Sequence, residues 1–118
     1  MKIEELERWL VFDARDIDLG KRYEGANKKG KRPFLVVGFS SMEKIIKVRS
    51  FSSIKNDFDS ERLLIIEELP ESVLNPWNNV IEISFDNFKH ATYNTRISEK
   101  SIEEINNFFR KHKKFLSF

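Results

Sequence analysis

Apolar residues change their spacing several times along the chain, and each change predicts a different element. In residues 3–12, Ile3, Leu6 and Leu10 share one helical stripe, which predicts a short amphipathic N-terminal helix. Val11 and Phe12 are equally consistent with the opening of a strand. Residues 20–31 hold Gly20, Gly25, Asn27 and Gly30 among charges, the composition of a loop. It is long for a hairpin connection, and long loops in compact domains tend to be functional or mobile. Residues 33–39 then form a continuous apolar β run that begins at Pro33, where a strand tolerates proline, and the unbroken run suggests burial on both faces. A polar turn at 40–43 leads into residues 44–51, where Ile46 and Val48 alternate with Lys47 and Arg49, so the two runs read as a hairpin. Residues 63–66 predict a third, buried strand and residues 80–83 a fourth, with Phe85 and Phe88 continuing the apolar signal. Residues 90–96 read as a return strand or turn.

The last element has clear punctuation. Ser101 and Glu104 fit a capping box, with Ser98 as an alternative start, and Ile102, Ile105, Phe108 and Phe109 recur at helical spacing. A basic cluster at 110–114 falls where the helix dipole favours cations. No repeat, low-complexity tract or long linker divides the chain, so residues 1–118 are expected to form a single domain. The class is mainly β with helices (α+β). The expected architecture is a small barrel or bent antiparallel sheet with a C-terminal helix and a short N-terminal helix.

Composition narrows the chemistry. Forty per cent hydrophobic residues and eleven Phe in 118 residues allow a core without metal or disulfide staples. The absence of cysteine excludes a disulfide framework and a thiolate metal site, and agrees with a reducing compartment. Acids stand where a signal peptide would be basic, and no run approaches the roughly 20 apolar residues of a membrane helix. A cytoplasmic location away from membranes is expected. Net charge is only +2, yet it is segregated. Residues 21–32 carry six cations against Glu24, a local +5, whereas residues 57–71 carry six acids against Arg62, a local −5. His90 and His112 lack metal-ligand spacing; His112 reads as a solvated cation in its basic run, His90 as a structural or surface group. Gly25 and Gly30 fit neither phosphate-binding glycine pattern. Neither metal nor cofactor is expected.

What remains is a basic loop running into a strand, Lys28, Lys29, Gly30, Lys31, Arg32 and Pro33, and a second strand ending in hydroxyls at Ser50, Ser52 and Ser53. The run Lys31, Arg32, Pro33, Phe34, Leu35, Val36, Val37 resembles the Arg-Pro-x-Leu-Val strand start of MazF/PemK-type toxins from toxin–antitoxin pairs. Gly25 and Gly30 stand where that family has a glycine-containing loop. About twenty residues on, Ser52 matches the place of the family's threonine at a strand end. Residues 79–83 are similar to its later strand, and Thr95, Arg96, Ile97 with residues 101–105 to its closing segment. The resemblance touches roughly residues 20–110. It departs at the start, where only Arg15, Asp16, Ile17, Asp18 and Leu19 stand in for a Gly-Asp-Ile strand, and at the serine in the threonine's place. Type III toxins of the same barrel class, with a Lys-Arg-Pro-Phe strand start, are matched about as well, though they are longer.

The resemblance implies an SH3-like barrel, a homodimer held in check by an antitoxin protein, and metal-independent cleavage of single-stranded mRNA by an endoribonuclease. RNA brings its own nucleophile, the 2′-OH, so such a protein has only to orient it and stabilise charge on phosphorus. In that scheme Arg32 stabilises the transition state, and Ser52 contacts phosphate or handles a proton. Lys28, Lys29 and Lys31 track the RNA backbone, and Tyr23 or Phe51 stacks on bases. Plainer readings stay open: Arg32 as the start of an edge strand, Ser52 as a turn hydroxyl, Tyr23 as a loop anchor. Two other functions stay open with them, a non-catalytic RNA- or protein-binding module on the same scaffold, and an interaction protein that works through the acidic 57–71 segment.

Overall fold

Three neighbouring strands that bury both faces form the centre of the molecule. A computed structural model of the chain describes residues 1–20, 30–53, 63–74 and 80–112. Its strands are β1 (Leu10–Arg15), β2 (Lys31–Ser40), β3 (Ile45–Ser53), β4 (Ser72–Leu74), β5 (Ile81–Ser84) and β6 (Thr92–Arg96), and its helix is α1 (Glu99–Lys111). All the pairings are antiparallel, in the order β4-β3-β2-β1-β6, with β5 on the first half of β3. The sheet curls strongly into a half-barrel.

Strand alternation assigns the two cores. Leu10, Phe12 and Ala14 of β1, Phe34 and Val36 of β2, and Ile46 and Val48 of β3 point to one face, where Ile83, Phe88 and Ala91 cover them. Phe12 stacks on Phe34 at 5.6 Å between centroids and meets Phe88 edge-on at 5.5 Å. Val11, Leu35 and Phe51 point the other way, against Ile66, Leu69 and Leu74 and against Ile105 of α1. The Arg49 guanidinium lies over Phe109 of the same helix, 4.2 Å from the ring centre. A sheet covered on both faces accounts for the unbroken apolar run of β2.

Four expectations are corrected. The N-terminal helix is only a 3₁₀ turn, Ile3–Glu5, because Leu10, Val11 and Phe12 are all needed, alternately, by the two cores. Trp9, held at φ 73°, turns the chain into β1 while its N–H donates to Val36 O and its carbonyl accepts from Ile97 N. The expected strand at 63–66 contributes one bridge, Leu64 to Leu74, and the paired segment is β4 instead. Residues 67–71 turn the chain back there, with Leu69 N donating to Ile66 O. Of the two starts expected for α1, it is the alternative, Ser98, that caps the helix in place of Ser101, its hydroxyl accepting from Ser101 N. His112 is not solvated: it ends the helix 7% exposed, its ring 4.6 Å from that of Phe108. No helix among the described residues is long and apolar enough to cross a membrane.

Candidate functional site

Where β2 begins and β3 ends, the sheet has run out of apolar residues. Phe34 pairs with Ser50, the last pair of the β2–β3 ladder at this end. Two residues outward along each strand come Arg32 and Ser52, which alternation places on the face of Phe34 and Ser50. β4 lies along the outer side of β3, with Ser52 opposite Val73 and Ser53 opposite Ser72. A cleft of about 310 Å³ opens at this corner. Lys31, Arg32, Ser52, Ser53 and Ser72 supply its polar lining, and Pro33 and Phe51 the rest. Pro33 suits the place, since a strand end can do without one N–H donor.

Arg32 is anchored from beneath. Its Nε stands 3.4 Å from Oδ1 of Asp16, a side chain with no exposure at all, and the Arg32 side chain itself is 23% exposed. Asp16 opens the 3₁₀ turn Asp16–Leu19 that follows β1, and Gly20 closes that turn at φ 81°. Across β1 from this turn, Lys31 Nζ donates to Thr92 Oγ1 at 3.0 Å, and the Asn94 amide donates to Asp13 at 2.9 Å. Arg15 grips Asp18 at 2.8 and 3.2 Å. That hydrogen bond holds the Asp18 carboxyl below its ordinary value against the opposing effect of burial, with lesser help from nearby positive charge, Arg15's first. Arg15 is raised in return, chiefly by the same bond.

The structure thus brings Arg32, Ser52 and Lys31 to one cleft. Phe51 is corrected as a stacking platform: at 1% exposure its ring is committed to the core with Leu74 and Ile105, and offers no face to a base. Tyr23, Lys28 and Lys29 lie outside the described residues. Sequence reasoning missed three residues. Ser72 sits on β4, whose three residues carry no recognisable strand period. Ser53 stood beside Ser52 without a role. Asp16 falls in the segment expected to stand in for an opening strand, whereas the structure places it in a 3₁₀ turn that Gly20 closes. Comparison with family models, curated proteins and solved structures found no match.

Proposed function

We propose that the chain is a metal-independent endoribonuclease of the toxin kind, which holds a phosphodiester of single-stranded mRNA in the Arg32 cleft. The observation that carries this reading is the meeting of Arg32 with Ser52, Ser53 and Ser72 in one concavity, with Lys31 in the same lining. A phosphate group asks for that set: a guanidinium fork for two oxygens and hydroxyl donors for the rest. In the reaction the RNA 2′-oxygen attacks the adjacent phosphorus and the 5′-oxygen leaves, giving a 2′,3′-cyclic phosphate and a 5′-hydroxyl. Arg32 stabilises the added charge, and Ser52 donates to a phosphate oxygen. His90 is the group to test for the 2′-OH proton, since a neutral imidazole can take it and the described lining of the cleft supplies no such base. The partners in this reading are a second copy of the chain and an antitoxin whose acidic or apolar tail lies along the same groove.

The test is cleavage of a long single-stranded RNA in EDTA by wild type, Arg32→Ala and Ser52→Ala. Discrete cuts with cyclic phosphate ends are expected, and Arg32→Ala is expected to slow them about 10²–10³-fold. Intact RNA under all conditions overturns the reading. One observation favours a second reading, a non-catalytic RNA-binding module: among the described lining residues there are cations and hydroxyls but no imidazole or carboxylate. In that case RNA stays intact but binds, with an affinity that falls steeply as salt rises.

A further inference from the structure

We propose that Asp16 is a positioning residue that sets the orientation of Arg32 towards the substrate phosphate, a role that rests on the ribonuclease reading above. A wholly buried carboxylate is costly unless a cation and hydrogen-bond donors face it. Here the Arg32 guanidinium supplies the cation, with Nε 3.4 Å from Asp16 Oδ1. The contact sits on the Nε side of the planar group. The contact is an ion pair and not a hydrogen bond, and a guanidinium held by charge on its Nε side can present its two terminal nitrogens as a pair to the cleft that Arg32 lines. That pair is the edge that takes two phosphate oxygens at once.

The backbone around Asp16 is built to hold it still. Ala14 pairs with Arg32 across β1 and β2, so Asp16 follows on the same face, two residues along. The chain then turns at once: Gly20 N donates to the carbonyls of Asp16 and Ile17, and Leu19 is buried at 3% exposure. Gly20 occupies the left-handed region, and the Asn87 side chain stands 3.3 Å from where a Cβ would project. Lys31, the other cation of the cleft, has no such anchor; its ammonium reaches the exposed Thr92 hydroxyl instead. One cation is aimed and its neighbour is loosely tethered. This is the division expected between a group that must meet a transition state and one that only attracts RNA.

Two roles for Asp16 make opposite predictions. Were it merely a negative charge damping Arg32, Asp16→Asn would tighten RNA binding and leave turnover intact or faster. As a positioning residue it separates the two quantities. The experiment measures RNA affinity and single-turnover cleavage in EDTA for wild type, Asp16→Asn and Arg32→Lys. The Arg32 Nε–H resonance is followed by ¹⁵N NMR in wild type and Asp16→Asn. Asp16→Asn is expected to keep or improve affinity, to lose about 10²-fold in cleavage, and to shift and broaden the Nε–H signal. Wild-type turnover in a folded Asp16→Asn protein overturns the proposal. If that variant does not fold, Arg32→Lys decides, since it keeps a cation beside Asp16 but has no fork to aim. Retained RNA binding with lost cleavage supports the proposal, and wild-type turnover overturns it. If the wild type cuts no RNA, the ribonuclease reading alone has failed. An Nε–H that is protected in wild type and lost in Asp16→Asn still upholds the positioning, and an unchanged resonance overturns it.

Discussion

Glu68 joins two parts of the molecule that are far apart in sequence, and neutralising it should loosen both. Its carboxylate accepts from Ser98 N at 2.7 Å and from the Ser101 hydroxyl at 2.5 Å, at the first turn of α1. Ser101 is wholly buried, so its hydroxyl has no ready water to replace the lost partner. The substitution Glu68→Gln preserves shape but removes the charge. Hydrogen bonds to a charged group are worth about 1.5–3 kcal/mol each, and Glu68 is partly exposed, so roughly half of that is expected to survive solvent screening. Adding about 0.5 kcal/mol for a negative charge at a helix N-terminus gives a loss of about 2 kcal/mol. At about 4 °C per kcal/mol for a domain of this size, Tm should fall by about 8 °C. The pH dependence follows from the sign of the shift. Burial pushes the Glu68 carboxyl up, but the hydrogen bonds from Ser101 and Ser98 outweigh it, and the folded protein holds this carboxyl below its ordinary value. Its stabilisation is therefore fully present above the unfolded-state value of about 4.3 and is lost as pH falls through the lower folded-state value. Urea denaturation of wild type and Glu68→Gln should show a gap near neutral pH that closes as pH falls below the ordinary carboxylate range. Equal stabilities at neutral pH, or a gap unchanged by acid, would refute the reasoning.

Two further perturbations test the packing. Phe12→Ala removes the ring that meets both Phe34 and Phe88 in one core, and should cost about 3–5 kcal/mol by chemical denaturation. Gly20→Ala places a Cβ on a left-handed backbone 3.3 Å from the Asn87 amide, so a thermal melt should report a loss of about 1–2 kcal/mol. On the proposed ribonuclease reading it should also slow RNA cleavage, since the turn that Gly20 closes begins at Asp16.

The hairpin, the strand at 80–83 and the final helix were legible in the sequence because each has a period that its own residues enforce. Pro33 through Val37 leave no polar position for a solvent face, and Ile102, Ile105 and Phe109 repeat at helical spacing against Val11 and Leu35. The N-terminus misled for a physical reason. Ile3, Leu6 and Leu10 do share a helical stripe, but a strand buried on both faces makes a stronger demand on Leu10, Val11 and Phe12 than a short helix can resist. Leu63 to Ile66 misled in the opposite direction. A continuous apolar run reads as a buried strand, whereas here it is irregular chain that covers one face of the sheet, with only Leu64 in the ladder. Arg32 and Ser52 were singled out by the resemblance, and the hairpin accounts for their nearness, since it sets the start of β2 beside the end of β3. Asp16, Ser53 and Ser72 were not legible, since what brings them to the corner is the turn after β1 and the pairing of β4 with the end of β3.

The place of the cleft follows from the fold's own economy of faces. Around Val11, Phe12, Phe34, Leu35 and Val36 the central strands have apolar neighbours above and below, so a polar group there would need a buried partner. Ser50 marks the boundary: it is buried at 5% exposure and is the last polar residue of β3 before the open corner. Beyond it, the same alternation that sends Phe34 into the core sends Arg32 to the rim, with Asp16 beneath as the partner that a half-buried cation needs. Ser72 reaches the corner through β4, and β4 belongs to the segment that Glu68 fastens to the start of α1. The serine side of the cleft therefore depends on the clasp at Glu68, and its arginine side on the turn closed at Gly20. Loosening the first should weaken hydroxyl contacts to phosphate while leaving Arg32 aimed; loosening the second should do the reverse.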